Sequence, residues 1–159
     1  MSEREIRKDL DIFLDENLSE GCQKKETAQS NFLDLPKKKK LDRLLENMHS
    51  SFSDKLLSYI RDSKFDEVEV YKRARMDRKL FSKIRSDANY HPRKKTVIRL
   101  ILALELSIQQ AKDLLNSAGY SFSNSNKFDL IIKFFIEQNM YDIALINEAL
   151  IEYKENPLD

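Results

Sequence analysis

Glycine occurs only twice in the 159 residues, at Gly21 and Gly119, and proline only three times, at Pro36, Pro92 and Pro157. Set against average usage of ~7% and ~5%, both are scarce, so tight hairpins and strained turns should be few and helices should dominate. Two isolated glycines also exclude the dinucleotide fingerprint and the phosphate-cradling P-loop, which need clustered glycines. One cysteine, Cys22, and two histidines, His49 and His91, are too few for a four-ligand Cys/His zinc site or an intramolecular disulfide. Long apolar runs are missing as well. The best, Val97 to Leu106, is broken by Arg99 and Glu105, and the first residues are charged, so neither a membrane span nor a secretion signal is expected. The expectation is a soluble, cytoplasmic, all-helical chain whose 41% hydrophobic content fills one core.

The net charge of +1 conceals an uneven distribution. Residues 71 to 100 hold 11 basic and 2 acidic side chains, a net +9, between segments of net −3 and −5. A short stretch of that sign sets up a local positive field of the kind a polyanion reads.

Helical periodicity organises the chain. Ile6, Leu10, Phe13, Leu14 and Leu18 form an amphipathic stripe that Gly21 can close. From Cys22 to Lys40 the pattern breaks, and Pro36 with Lys37 to Lys40 reads as linker; Leu41, Leu44, Leu45 and Met48 mark a short helix after it. Five short helices are then predicted across residues 53–118. Asp66 to Glu69 resembles a capping box, Asp77 caps the helix Arg78 to Ser86, and Ser107 with Gln110 makes a Ser-x-x-Gln box. In Lys127 to Gln138 the only polar stripe is Asp129, Lys133 and Glu137, so this helix is expected to be central or interfacial, with nearly every face covered. Asp142 caps the last helix, completing a hairpin. The domain reading is an arm and linker at 1–51, a central domain at 52–120 and a helical hairpin at 121–159.

Chemistry concentrates in the third of the five helices. Its 3.6-residue period puts Leu80, Phe81 and Ile84 inward and Arg78, Lys79, Ser82, Lys83 and Arg85 outward. Two short helices joined by the turn Arg75-Met76-Asp77, the second with a cationic outer face, match the logic by which one helix enters the DNA major groove while its predecessor holds it to the backbone. Arg78, Lys79, Ser82 and Lys83 are then the base-reading candidates, since arginine and lysine donate to guanine O6 and N7 and serine serves several bases. Lys72, Arg73, Arg85, Arg93, Lys94 and Lys95 are the candidates for neutralising phosphates.

These residues resemble the phage-repressor and Cro-like helix-turn-helix superfamily. The likeness lies in the succession of five helices, in Met76 and Asp77 of the turn, in Phe81, Ser82 and Ile84, and in the segment Pro92 to Thr96. More narrowly, Tyr71 to Ala74, Asp77 to Asp87, Ala103 to Leu106, Lys112 to Leu115, Ala118 to Tyr120 and Lys127 to Asp129 are similar to a module found C-terminal to some bacterial macrodomain proteins. The resemblance covers residues 52–153 and implies a bacterial or phage regulator of transcription that binds double-stranded DNA as a homodimer. Residues 1–51 are too short to be a macrodomain, so no ADP-ribose chemistry is implied. The sequence departs from the wider pattern at Tyr71, where a small alanine is usual, at Arg75, where the turn usually has glycine, and at Asp66 and Glu67, which put negative charge at a helix start.

A competing reading keeps the fold and makes the partner a protein, such as an ADP-ribose-handling enzyme or a phage component. Catalysis has the least support. Cys22 lies beside Lys24 and Lys25 without a fixed histidine, His91 precedes Pro92, and Asp9, Asp11 and Asp15 lack the glycine of a calcium loop. No enzyme activity, cofactor or metal is expected.

Overall fold

A computed structural model describes residues 37–46 and 51–159. The expected stripe Ile6 to Leu18, its closing Gly21, and Cys22, Met48 and His49 lie outside the described residues. The chain divides into two units, Met1–Asn47 and Met48–Asp159.

The first unit contributes α1, Lys37–Glu46. Its first turn is the lysine run expected to be linker. Lysine is a good helix former, and Lys38 Nζ reaches Asp42 Oδ2 at 3.1 Å, one helical turn on. None of its residues is buried.

The second unit holds seven helices: α2 Phe52–Asp62, α3 Glu67–Arg73, α4 Arg78–Ser86, α5 Lys94–Ala103, α6 Ile108–Ser117, α7 Lys127–Glu137 and α8 Ile143–Glu152. The fold is all-α, with no strand among the described residues. Local chemistry starts these helices where the sequence predicts. The Asp66, Asp77 and Asp142 carboxylates accept from the amides of Glu69, Lys79 and Ala144 at 2.8, 3.1 and 2.8 Å. Ser107 and Gln110 close a reciprocal box at 3.0 and 3.4 Å.

Helix ends depart from the expectation drawn from scarce glycine. Left-handed backbone follows five helices, yet only one such residue is glycine, Gly119 (φ 82°); the others are Arg75 (51°), Glu105 (54°), Asn139 (57°) and Lys154 (62°). Each corner is closed by the next amide reaching back five residues: Met76 to the Tyr71 carbonyl at 2.9 Å, Leu106 to Ile101 at 3.1 Å, Tyr120 to Leu115 at 2.9 Å, Met140 to Phe135 at 2.9 Å and Glu155 to Leu150 at 2.8 Å. At two of them the closing residue, Met76 or Leu106, is also buried, and that burial offsets backbone strain of about 1–2 kcal/mol per residue. Lys154→Gly is therefore expected to raise stability by about 0.5–1 kcal/mol, and Asn139→Gly by less, since asparagine tolerates this conformation; urea melts of the two variants check the order.

Packing decides one half of a second expectation, that the helix from Lys127 is central or interfacial: it is not central. The central helix is α5, in which Val97, Ile98, Leu100, Ile101 and Leu102 are all fully buried. In α7, expected to be covered on nearly every face, Leu130 is 45% and Phe134 56% exposed, while Asp129 of its polar stripe is fully buried. One apolar cluster joins α2 to α6 with Ile132, Phe135 and Ile136 of α7 and Ile143, Ile146 and Leu150 of α8. The hairpin packs one side on that cluster and leaves the other to solvent.

Candidate nucleic-acid interface

α3 and α4 meet across a short turn whose apolar residues fix their angle. Ala74 is fully buried and Met76 nearly so. The Tyr71 ring lies 5.7 Å from that of Phe81 at an interplanar angle of 44°, so this tyrosine is a packing bridge between the helices. Phe81 and Ile84 anchor α4 in the core. Its far end is held by the Ser53 hydroxyl of α2, which donates to the Ile84 carbonyl.

On this scaffold the cationic side chains fall into three groups. Lys72, Arg78, Lys79 and Arg93 are exposed, and among the described residues they have no side-chain partner. Two others are exposed but engaged: Arg85 Nη1 meets Glu67 Oε2 at 2.8 Å, and Lys83 Nζ lies 5.2 Å from the centre of the Tyr90 ring. Ser82, between them, is half-buried and its carbonyl accepts from Ser86 Oγ at 2.8 Å.

The third group is tied to the interior. The Arg73 guanidinium lies over the Phe65 ring at 4.2 Å, donates through Nε to the Ala103 carbonyl at 2.9 Å, and meets Glu105 Oε1 at 2.6 Å. Lys94 Nζ bonds Asp129 Oδ2 at 2.7 Å, and Lys95 Nζ the Pro157 carbonyl at 2.7 Å. The four base-reading candidates thus share one helix, whereas only three of the six phosphate candidates, Lys72, Arg85 and Arg93, keep an exposed cation on the surface. The acidic start of α3 is also spoken for, with Asp66 capping its own helix and Glu67 paired to Arg85.

Glu105 carries a pH signature of this packing. Burial pushes its carboxyl up, but hydrogen bonds and charges from Lys64 and Arg73 outweigh that and hold it below the usual carboxylate range. A folded value below the unfolded one, about 4.3, contributes stability above that pH, and the contribution is lost as pH falls through the folded value. Between about pH 5 and 3, wild-type protein is expected to lose more stability than Glu105→Gln, as measured by urea midpoints across the range.

Two residues of this surface escaped the sequence reading. In the sequence Arg99 reads only as a break in an apolar run; its Nη1 donates to the Arg75 carbonyl at 3.0 Å, in the turn before α4. Tyr90, beneath Lys83, sits in a stretch without helical period. Among the described residues no group of three His, Cys, Asp or Glu side chains could hold a metal ion, and no helix is long and apolar enough to cross a membrane. Compared with protein-family models, curated proteins and solved structures, the chain matches none.

Proposed function

We propose that residues 52–120 form a repressor-like helix-turn-helix domain that binds double-stranded DNA, placing α4 in the major groove as part of a bacterial or phage-type regulator acting in the cytoplasm. The observation that carries this reading is the outer face of α4. Arg78 and Lys79 are exposed and unpaired among the described residues, on a helix whose other side is locked into the core. A groove about 12 Å wide admits one such helix. Arg78, Lys79, Ser82 and Lys83 read bases, while Lys72, Arg85 and Arg93 meet phosphates. Arg85 does so by exchanging Glu67, a half-exposed partner of small net value.

One short helix makes few contacts, so the protein binds as a homodimer on a pseudo-palindrome. The apolar residues left to solvent on the hairpin, Leu130 and Phe134, supply its seam. The test is a selection of bound sequences from random duplexes, followed by titration of the variants and sizing of the complex. Arg78→Ala is expected to change the preferred sequence, and Arg93→Ala to weaken all duplexes alike by about tenfold. No binding at low salt would sink the reading. That same result would favour the alternative, a module that has lost DNA binding and docks on a protein through the basic face or through the hairpin with its two exposed side chains, whereas a Phe134→Ser variant that stays monomeric yet binds its duplex as well as wild type would remove the homodimer alone.

A further inference from the structure

A cleft of about 400 Å³ opens between α4 and α5, walled by Leu80, Tyr90 and Leu158 and carrying Arg93, Lys95 and Arg99. This volume suits a small molecule, and the lining divides between apolar surface from Leu80, Tyr90 and Leu158 and polar or cationic groups from Thr96, Arg93, Lys95 and Arg99, which suits a ligand with one anionic and one apolar end. We infer that the cleft binds a small organic anion, a phosphate monoester or carboxylate with an apolar body, and that the ligand acts on the recognition helix.

Three features support this. Arg93 is exposed with no partner among the described residues, whereas Lys95 is held by the Pro157 carbonyl, which takes one of the three donors of its ammonium. The Arg99 guanidinium is held through Nη1 on the Arg75 carbonyl, while its Nε is buried with no hydrogen-bond partner. An unpaired buried donor is unfavourable, and a small rotation of the guanidinium would present it to an acceptor in the cleft. Finally, Tyr90, Leu80 and Leu158 give the rest of the ligand an apolar surface that a bare inorganic ion would not use.

The cleft is wired to α4 at both ends. Tyr90 lies under the ammonium of Lys83, a base-reading candidate, and Arg99 holds the carbonyl of Arg75 in the turn that sets the angle between α3 and α4. An anion that draws Arg99 inward shifts its hold on that turn, and a ligand against Tyr90 displaces or fixes Lys83. The regulatory meaning of this coupling rests on the DNA-binding reading; the ligand site does not.

The experiment is an NMR titration of the full chain, without duplex, using phenyl phosphate and inorganic phosphate as probes. Phenyl phosphate is expected to produce saturable shifts in the amides of Tyr90, Arg93 and Arg99 that extend to Arg75 and Lys83, with inorganic phosphate at least about tenfold weaker. Arg99→Met should weaken the effect by about tenfold or more and Arg99→Lys by less; Arg93→Ala, a change at an exposed position, gives a second reading in a variant expected to fold. The inference is overturned by the absence of saturable shifts, by equal binding of the two probes, by wild-type affinity in Arg99→Met, or by shifts that stop short of Arg75 and Lys83. Because no duplex is present, none of these outcomes depends on whether the protein binds DNA.

Discussion

Lys94→Met is expected to destabilise the protein by about 2–4 kcal/mol while leaving the exposed face of α4 chemically unchanged. The Asp129 carboxylate is only 1% exposed, and Lys94 Nζ, at 2.7 Å, is its one cationic contact among the described residues. The Ser123 amide donates to the same oxygen at 2.8 Å, and the other oxygen, Oδ1, has no hydrogen-bond partner. Removing the ammonium leaves a buried charge with a single neutral donor, the situation in which breaking an ion pair is most damaging. The Lys94 side chain is 27% exposed, so water replaces some of what is lost, and the loss falls below the full penalty for a sealed pair.

The pair also answers a problem local to α5. Arg93, Lys94 and Lys95 crowd the positive end of that helix, its first turn has no acidic residue, and its N-cap makes no side-chain hydrogen bond. Asp129, brought over by α7, supplies the negative charge that the helix dipole favours there. The double variant Lys94→Met/Asp129→Asn should recover most of the loss, because no unpaired charge then remains. Urea or thermal melts of the two single variants and the double check this. A Lys94→Met protein that melts like wild type but binds duplexes weakly would return Lys94 to the phosphate surface.

This pair marks the boundary of what the sequence disclosed. Asp77, Asp142 and the Ser107 and Gln110 box were legible because a cap is satisfied within three residues, so adjacent letters contain the whole interaction. The outer face of α4 was legible for the same reason: Phe81 and Ile84 fix which side points in, and the cations follow from the period. The fate of each cation was not. Arg73 and Lys94 look like Lys72 and Arg93 in the sequence, and only partners 30 or more residues away, Ala103, Glu105 and Asp129, draw them inward. Periodicity left α7 open between a central and an interfacial place. It reports that a side chain is apolar, whereas cover depends on what the fold brings alongside, and here Leu130 and Phe134 remain in solvent while Asp129 is buried. Of the left-handed corners, Arg75 was legible as a residue standing where the resemblance puts a turn glycine, whereas those at Glu105 and Lys154 were hidden because closure of the helix end, helped at the first by burial of Leu106, outweighs a preference for glycine.

On the proposed DNA-binding reading, in which α4 faces the bases, the division of cations sets the salt dependence of duplex binding, the largest effect expected here. Nine basic residues were candidates for contact, and simple counting would let most of them displace counterions. With Arg73, Lys94 and Lys95 tied to the interior, and Arg78, Lys79 and Lys83 turned to bases, Lys72, Arg93 and, after exchanging Glu67, Arg85 remain for phosphates. About two to four contacts per protomer, allowing for one base-facing cation that also reaches the backbone, give a slope of log affinity on log salt between about −2 and −4. Affinity per protomer should then fall roughly 10- to 150-fold between about 50 and 200 mM salt, with the slope doubled when a dimer engages both half-sites. Anisotropy titrations over that range give the slope directly. Arg93→Ala should make it shallower by about one contact, while Arg73→Ala, assayed where it is still folded, should leave it unchanged. A slope near zero would mean that these side chains do not meet phosphate; one near −8 per protomer would mean that the inward-tied cations leave their partners on binding, a rearrangement that Lys94 resists most because its release strands a buried carboxylate.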